Sequence, residues 1–201
     1  MYAFADLIFR IEEDLIPEDA LLLNLKLKEE FPRKQQFLIE ELIGPEGASH
    51  FLEVTGGLLT RLDQQGHRVY QVFEASETLT EGDVLTLEEK FLAGEGQNIT
   101  PARYSKDPEE CKRISSFIKN EFRKVAELLN IEGYARIDAF VRIYNDGRIV
   151  VIFIEVNSLP GMTPATCIFH QSALAGYKPF EFIDQILEYG MKRKHFPARI
   201  Q

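Results

Sequence analysis

The stretch Glu155-Val156-Asn157-Ser158-Leu159-Pro160-Gly161-Met162-Thr163, read with Arg136-Ile137-Asp138 upstream, decides the fold of the region around it. Glu155 and Asn157 lie two residues apart in an otherwise apolar run, and Arg136 and Asp138 repeat this spacing. Side chains two residues apart in a β-strand point to the same face of the sheet. Each run therefore predicts a strand that presents two polar groups side by side.

Asn145-Asp146-Gly147, which separates the two runs, is typical of a β-hairpin turn. If Asp146 and Gly147 form a two-residue turn, Asn145 pairs with Arg148. Counting back along both strands then places Asp138 opposite Glu155 and Arg136 opposite Asn157. The hairpin would gather three oxygen ligands and one guanidinium on one patch, and such oxygens suit Mg²⁺. A half-buried hairpin whose charges are solvated or merely paired is the alternative.

These two motifs resemble the C-terminal part of D-alanine–D-alanine ligase and its ATP-grasp relatives. The resemblance implies phosphoryl transfer from ATP to a carboxylate, followed by attack of an amine or a hydroxyl on the acyl phosphate. It implies that Asp138, Glu155 and Asn157 hold two Mg²⁺ ions on the ATP phosphates. It also implies that Arg136 and the backbone N–H of Gly161 stabilise the oxyanion of that attack. The family's product serves peptidoglycan, the bacterial cell wall.

Other positions extend the resemblance to the nucleotide. Residues 40–43 followed by Glu46 resemble the family's hinge, which implies Glu40 and Leu42 at the adenine edge and Glu46 at the ribose. A strand end with a polar turn is the alternative for this segment. By position, Phe140 and Ile154 correspond to the walls around the purine ring, although both could be ordinary core residues.

Lys90 and Thr166 complete the set of candidate binding residues. Lys90 resembles the family lysine that opens a mobile loop over the phosphates, where an ammonium would screen the γ-phosphate. The family commonly has tyrosine where this chain has Phe91, and relatives with phenylalanine there tend to form esters, so the acceptor is open between an amine and a hydroxyl. Thr166 stands where the family often has a serine that binds the acceptor's carboxylate.

The composition excludes some classes of molecule that the protein could bind. The formal net charge of −9 argues against general binding to nucleic acid or anionic membranes. Two cysteines are too few for a disulfide framework, and we find neither a signal peptide nor an apolar run long enough to span a bilayer. These features predict a cytoplasmic protein, and the resemblance implies that it acts on small-molecule substrates.

The order of predicted elements indicates an α+β fold, with an antiparallel sheet flanked by helices. We expect a helix after Pro17, strands over 36–43, 49–59 and 68–75, a loop over 76–104, and a helix that begins at Asp107. After the hairpin, a helix over 168–175 precedes a last one that starts after Pro179 and buries Phe182, Ile183, Ile186 and Leu187. Residues 36–201 resemble the ATP-grasp C-terminal lobe, whereas residues 1–35 form a helical segment that matches poorly.

The first 43 residues contain no glycine. The family's glycine-rich phosphate lid therefore has no counterpart there, because such loops need glycine's backbone freedom. We expect a ligase fragment that is incomplete on its own, completed either by the missing N-terminal half or in a homodimer. Two alternatives are an ATP-grasp ligase for another amino acid or a hydroxy acid, and a non-catalytic module that binds a nucleotide or a partner chain.

Overall fold

The computed structural model describes residues 41, 43–79, 98–163 and 166–193. The residues from Ile43 onward belong to one compact unit. Its elements are, in chain order, β1 (His50–Leu62), β2 (Arg68–Val72), β3 (Ser76–Thr78), β4 (Asn98–Ile99), α1 (Pro108–Leu128), β5 (Tyr134–Ile143), β6 (Ile149–Asn157), α2 (Cys167–Leu174) and α3 (Pro179–Arg193). The helix predicted after Pro17, the boundary at residue 35 and most of strand 36–43 lie outside the described residues.

The strands form one antiparallel sheet, so the predicted α+β class is confirmed. The order across the sheet is β4-β3-β1-β5-β6, and β2 also pairs with β1. The long strand β1 pairs with β5 along one edge, while its other edge pairs with β3 through residues 53–55 and with β2 through residues 58–62. The site hairpin β5–β6 therefore lies at one side of the sheet, against the central strand.

Helix α1 covers one face of the sheet. Asp107 caps its first turn by accepting a hydrogen bond from the Glu110 backbone N–H at 2.8 Å, as its position before Pro108 predicts. Residues that alternate along β1 and β5, such as Val54 and Ile137, are fully buried against it. The remaining residues of these strands, including Arg136 and Asp138, therefore belong to the opposite face.

Helices α2 and α3 cover one end of that opposite face. Phe182 of α3 and Ile168 of α2 pack with Leu59 and Phe73 of the sheet in a second apolar cluster. The prediction that Phe182 is buried is confirmed, but the prediction for Ile183 and Leu187 is wrong, because 40% and 58% of these residues are exposed. The rest of this face carries the polar residues of the hairpin.

Adjacent glycines let helices approach both faces of β1 at the same level. A Cβ added at Gly56 would lie 2.1 Å from Phe122 Cε2 of α1. One added at Gly57 would lie 2.5 Å from Gln171 Oε1 of α2. No side chain larger than hydrogen fits at either position, so the glycine pair marks close helix–sheet packing rather than a turn.

The hairpin register is as predicted at the site, but the predicted turn is wrong. Tyr144 pairs with Arg148, and residues 145–147 form a three-residue loop with Gly147 at φ 83°. This loop shifts the pairing by one residue near the turn. A β-bulge at Ile154 shifts it back, so Asp138 pairs with Glu155. Without the bulge, Glu155 would stand opposite Ile137 and face the core under α1.

The segment predicted as a loop over residues 76–104 is partly strand. Short strands β3 and β4 lie at its two ends and pair with each other. Their brevity hides them from sequence patterns, since two or three residues cannot establish an alternation. Among the described residues, no helix has both the length and the apolar character needed to cross a bilayer.

Candidate functional site

Four polar side chains of the hairpin meet on the open face of the sheet, as the spacing predicts. Arg136 donates to both oxygens of Asp138, from Nε at 3.0 Å and from Nη2 at 2.9 Å. Asn157 Nδ2 donates to Glu155 Oε1 at 3.0 Å and to Asp138 Oδ2 at 3.3 Å. Arg136 Nη2 also lies 3.7 Å from Glu155 Oε1. The predicted gathering of these four groups is therefore confirmed, while their roles stay predictions.

Thr55 fixes the buried member of this cluster, and the sequence analysis missed it. Asp138 is 7% exposed, and Thr55 Oγ1 donates to its Oδ1 at 2.5 Å. A carboxylate this deep is stable as an anion only when donors surround it. The pairing of β1 with β5 places Thr55 directly opposite Asp138. No local pattern could reveal this contact, because 83 residues separate the partners.

Gln171 of α2 holds the strand that carries Thr55. Its amide is fully buried, and its Nε2 donates to the Thr55 carbonyl at 2.7 Å and to Ser76 Oγ at 2.9 Å. Its Oε1 accepts from the Gly57 N–H at 2.7 Å. Both ends of the amide are thus engaged, which fixes α2 against the sheet beside the site. A fully buried glutamine is uncommon, and nothing in the sequence around Gln171 indicated it.

The donor set fits a hard divalent cation. Two carboxylates and one amide supply oxygen atoms, but the amide nitrogen of Asn157 faces both acids, so the amide must turn over before its oxygen can join a metal held by them. Asp138 accepts from Thr55, Arg136 and Asn157, so a metal at its Oδ2 must displace Arg136 or Asn157. Among the described residues no three His, Cys, Asp or Glu side chains form a metal-type cluster, and the predicted set contains only two acids.

Cys167 begins α2 beside the cluster. Burial raises the pKa of its thiol, and the Asp138 carboxylate acts in the same direction, while a hydrogen bond to Ser76 and the Arg136 guanidinium oppose these effects. The thiol is therefore protonated near neutral pH. This agrees with a structural cysteine rather than a nucleophile, because thiolate is the reactive form.

Aromatic residues continue the open face beyond Asp138. Phe140 lies two residues further along β5 and stacks on Phe51 of β1, with ring centroids 5.4 Å apart. Ile154, the bulged residue, is 46% exposed. The structure thus leaves Ile154 accessible, while the purine contact of both Phe140 and Ile154 stays a prediction.

Glu46 forms an ion pair that sequence patterns did not indicate. Arg142 binds both of its carboxylate oxygens, at 2.9 Å and 2.8 Å, and also donates from Nε to the Gly44 carbonyl at 2.7 Å. Arg142 is buried and belongs to the same face of β5 as Asp138 and Phe140. Any contact of Glu46 with a ribose would therefore share the carboxylate with this guanidinium.

Gly161 and Thr166 lie on the segment between β6 and α2. Gly161 is exposed, and just before it the Pro160 carbonyl accepts from Tyr134 Oη at 3.4 Å. Thr166 precedes α2, and its hydroxyl donates to the Thr163 carbonyl at 2.8 Å. To donate to an acceptor's carboxylate, the Thr166 hydroxyl would have to leave that carbonyl. The candidates Glu40, Leu42 and Lys90, and also Phe91, lie outside the described residues.

A cleft of about 660 Å³ lies in the same unit, away from the Asp138 cluster. Its walls include His50, Glu77 and Tyr104, and none of its lining residues belongs to the Asp138 cluster. Arg103 closes one side by binding both Glu77 oxygens, at 3.0 Å and 3.1 Å. The cleft is thus separate from the predicted chemistry.

Comparison with known proteins gives consistent matches. A family model described as "D-ala D-ala ligase C-terminus" matches residues 23–188. Among curated proteins, the D-alanine–D-alanine ligase of Leptospira interrogans is 32% identical over 142 residues, which are 71% of this chain and 37% of the relative. That of Carboxydothermus hydrogenoformans is 30% identical over 159 residues, which are 79% of this chain and 44% of the relative. The chain spans less than half the length of these two relatives.

Solved structures give weaker likenesses. A D-alanine–D-alanine ligase from Bacillus anthracis complexed with ATP is 17% identical with a TM-score of 0.46, covering 73% of this chain and 40% of that one. A D-alanyl-alanine synthetase A from Vibrio cholerae is 19% identical with a TM-score of 0.47, covering 71% and 39%.

Proposed function

The chain belongs to the D-alanine–D-alanine ligase family, as the match over residues 23–188 establishes, and on that premise we propose that it is the C-terminal, nucleotide-binding portion of an ATP-dependent ligase. The parent reaction transfers the γ-phosphoryl group of ATP to a carboxylate, and an amine or a hydroxyl then attacks the acyl phosphate. The cluster of Arg136, Asp138, Glu155 and Asn157 on one face of the hairpin carries the proposal.

We propose that Asp138, Glu155 and Asn157 bind the magnesium ions that accompany ATP. Magnesium keeps few protein ligands and takes phosphate oxygens and water for the rest, which agrees with two carboxylates and one amide. When bound, the metal neutralises charge on the phosphate oxygens. Thr55 holds the Asp138 carboxylate in place, so the ligand is oriented before any metal arrives.

Arg136 has a second role in the proposal. In the present structure both nitrogens that face Asp138 are engaged with that carboxylate. A cation on Asp138 would compete for the same oxygens and release the guanidinium. Arg136 and the backbone N–H of Gly161 would then donate to the oxyanion that forms when the acyl phosphate is attacked.

Glu53 is a second candidate for the ribose acceptor, beside Glu46. It lies two residues before Thr55 on β1 and pairs with Phe140, and the alternation along β1 assigns it to the open face. Glu46 is bound by both terminal nitrogens of Arg142. A carboxylate on the site face can accept hydrogen bonds from ribose hydroxyls.

The substrates and setting follow from the family. D-alanine is the first candidate for donor and acceptor. Because this chain has Phe91 where the family commonly has tyrosine, another amino acid or a hydroxy acid is an alternative acceptor. The proposed setting is the cytoplasm, in the synthesis of peptidoglycan precursors. The missing N-terminal half, or a second copy of the chain, would supply what a complete site needs.

A non-catalytic nucleotide- or partner-binding module is the second candidate function. It is favoured by one observation, namely that Arg136 and Asn157 already occupy the oxygens of Asp138. Such a module would retain the sheet and the hairpin without turnover.

Titration calorimetry with Mg²⁺ and a non-hydrolysable ATP analogue tests the proposal. We expect the wild-type chain to bind the analogue, and Asp138→Ala or Glu155→Ala to weaken binding by at least about tenfold. Glu109→Ala, which removes an exposed acid on α1, is the matched control and should bind like wild type. Absence of binding to the wild-type chain, or equal binding by all four proteins, contradicts the proposal.

A further inference from the structure

The edge of β1 that pairs with β3 and β2 is interrupted beside the Asp138 cluster. This edge pairs with β3 through residues 53–55 and with β2 through residues 58–62. Gly56 and Gly57 lie between these two pairings and belong to neither. The Phe73 N–H donates to the Gly57 carbonyl at 2.9 Å. The other peptide groups at a buried strand edge of this kind need partners from elsewhere.

The side-chain amide of Gln171 in α2 fills the interruption. Its Nε2 donates to the Thr55 carbonyl at 2.7 Å, and its Oε1 accepts from the Gly57 N–H at 2.7 Å. These two bonds flank Gly56, which is how a residue of a parallel strand would bond to β1. Helix α2 thus contributes to the hydrogen bonding of the sheet through one side chain.

The second N–H of the amide extends the contact to β3. It donates to Ser76 Oγ at 2.9 Å, and Ser76 is the residue that pairs with Thr55 across β1 and β3. Ser76 Oγ in turn lies 2.6 Å from Thr100 Oγ1. The amide therefore holds both members of the Thr55–Ser76 pair.

Thr55 continues this contact to the hairpin cluster. Its hydroxyl donates to Asp138 Oδ1 at 2.5 Å. The side chain of threonine is stiff at χ1, so the position of the Thr55 main chain determines where its hydroxyl lies. Gln171, Thr55 and Asp138 are all buried, so the path between the amide and the carboxylate lies inside the protein.

We propose that Gln171 is a positioning residue of the metal site, an inference that rests on the function proposed above. The amide holds the Thr55 main chain, and the Thr55 hydroxyl orients the Asp138 carboxylate toward the magnesium ion. Groups behind a metal ligand contribute to affinity because they orient that ligand in advance. Since α2 begins directly after Thr166, the same amide also ties the proposed acceptor residue to the metal ligands.

The alternative is that Gln171 only satisfies buried peptide groups of β1. In that case its loss lowers the stability of the fold but leaves Asp138 correctly oriented in the molecules that remain folded. The two explanations therefore differ in the affinity of the folded chain for metal and nucleotide, whereas both predict a loss of stability.

Titration calorimetry with Mg²⁺ and a non-hydrolysable ATP analogue tests the positioning role in Gln171→Met. Methionine has a similar length but lacks the amide. We expect binding to weaken by about fivefold to tenfold, less than for a direct contact to the ligand, because Gln171 acts one step further out. Circular dichroism checks that each variant is folded under the conditions of the titration.

Phe182→Leu is the matched control. Phe182 is fully buried in the same apolar cluster as Ile168 of α2, so its truncation also loosens the packing of the helices on the sheet. It leaves the hydrogen bonds of Gln171 in place. We expect this variant to lose stability and to bind the analogue within about twofold of wild type.

A double-mutant cycle with Thr55→Val identifies the path. If Gln171 acts through the Thr55 hydroxyl, its effect disappears once that hydroxyl is absent. The double variant should then bind within about twofold of Thr55→Val alone, whereas independent effects would multiply. If Gln171→Met does not fold, Gln171→Glu replaces it, because glutamate keeps the acceptor for the Gly57 N–H but its carboxylate has no donor for the Thr55 carbonyl.

The outcomes separate this inference from the function on which it rests. Suppose that the wild-type chain binds the analogue and Asp138→Ala weakens binding. Then a Gln171 variant that binds like wild type, or no worse than Phe182→Leu, overturns the positioning role alone. So does a double variant whose loss is the product of the two single losses. A wild-type chain that does not bind the analogue overturns both proposals.

Discussion

At the scale of single residues, the site depends on how the buried carboxylate of Asp138 is held. Thr55, Arg136 and Asn157 all donate to it, and the three donors come from three different strands, β1, β5 and β6. Because each hydrogen bond to a buried carboxylate offsets part of its lost hydration, the three donors also fix the direction of the Asp138 side chain. The local order that a metal ligand needs is therefore present before any ligand binds.

Thr55→Val tests this support directly. Valine keeps the shape of threonine but removes the donor to Asp138 Oδ1, so we expect the free energy of unfolding to fall by about 1–3 kcal/mol. Thr55→Ser keeps the hydroxyl and should lose clearly less. Urea unfolding of the three proteins provides the measurement. Equal losses for valine and serine would show that the hydroxyl contributes nothing to Asp138.

At the scale of elements, the sequence predicts the hairpin's facing pairs but not how they arise. The periodic spacing of Arg136, Asp138, Glu155 and Asn157 determines the shared face, and the structure confirms it. The loop of residues 145–147 is one residue longer than the predicted turn, and the bulge at Ile154 compensates. An isoleucine in a bulge looks like any other strand residue, so no sequence signal distinguishes it.

The long-range contacts were also beyond sequence reasoning. The predicted helices at Asp107, at 168–175 and after Pro179 are found close to their expected bounds, because capping and Gly or Pro signals are local. By contrast, Thr55, Gln171 and Arg142 acquire their roles only when distant strands and helices meet. The sequence therefore predicted the motif that carries the chemistry, but it did not predict the residues that support this motif.

Gly56→Ala tests the packing of α1 on the sheet. The added methyl would overlap the Phe122 ring, so we expect a loss of about 1–3 kcal/mol in the free energy of unfolding. Gly44→Ala is the control, because a Cβ there meets nothing within 4 Å, and its effect should stay within about 0.5 kcal/mol. Combining Gly56→Ala with Phe122→Leu should recover part of the loss. A Gly56→Ala protein as stable as wild type would contradict the observed approach.

The short strand β3 contributes a pH-dependent stabilisation through Glu77. Burial opposes the charge of this carboxylate, but hydrogen bonds from the Arg103 side chain and backbone outweigh it and hold its pKa below the usual range. The unfolded chain therefore takes up a proton at a higher pH than the folded chain does. The stabilisation is present at neutral pH and is lost as the pH falls below about 4.

Glu77→Gln removes this titration. We expect the variant to be less stable than wild type at neutral pH and the difference to shrink in acid, where the wild-type carboxyl is protonated too. The free energy of unfolding at a series of pH values provides the comparison. Two stability curves that stay parallel from neutral to acidic pH would mean that Glu77 does not titrate differently on folding.

At the scale of the whole molecule, the described residues from Ile43 onward form a sheet with α1 packed on one face and with α2 and α3 packed on part of the other. The open part carries the polar hairpin cluster at one level and the stacked Phe51 and Phe140 further along. A charged site beside an aromatic platform suits a nucleotide, whose phosphates and base need these two environments. This placement links the family assignment to a physical surface of the unit.

A prediction at this scale concerns the ligase activity of the 201-residue chain. We expect nucleotide binding without ligase activity, because the first 43 residues contain no glycine with which to build a phosphate lid. A coupled assay for phosphate release with ATP and D-alanine measures this. Release that depends on D-alanine and disappears in Asp138→Ala would show that the chain is a complete enzyme.

The central claim is that one hairpin face binds a metal–nucleotide complex, and electron paramagnetic resonance of Mn²⁺, used in place of Mg²⁺, tests it most directly. We predict that the wild-type chain broadens the Mn²⁺ signal only when the ATP analogue is present, and that Glu155→Ala and Asn157→Ala abolish this nucleotide-dependent change. A signal that the wild-type chain leaves unaltered, or one that both variants alter as wild type does, would contradict the account.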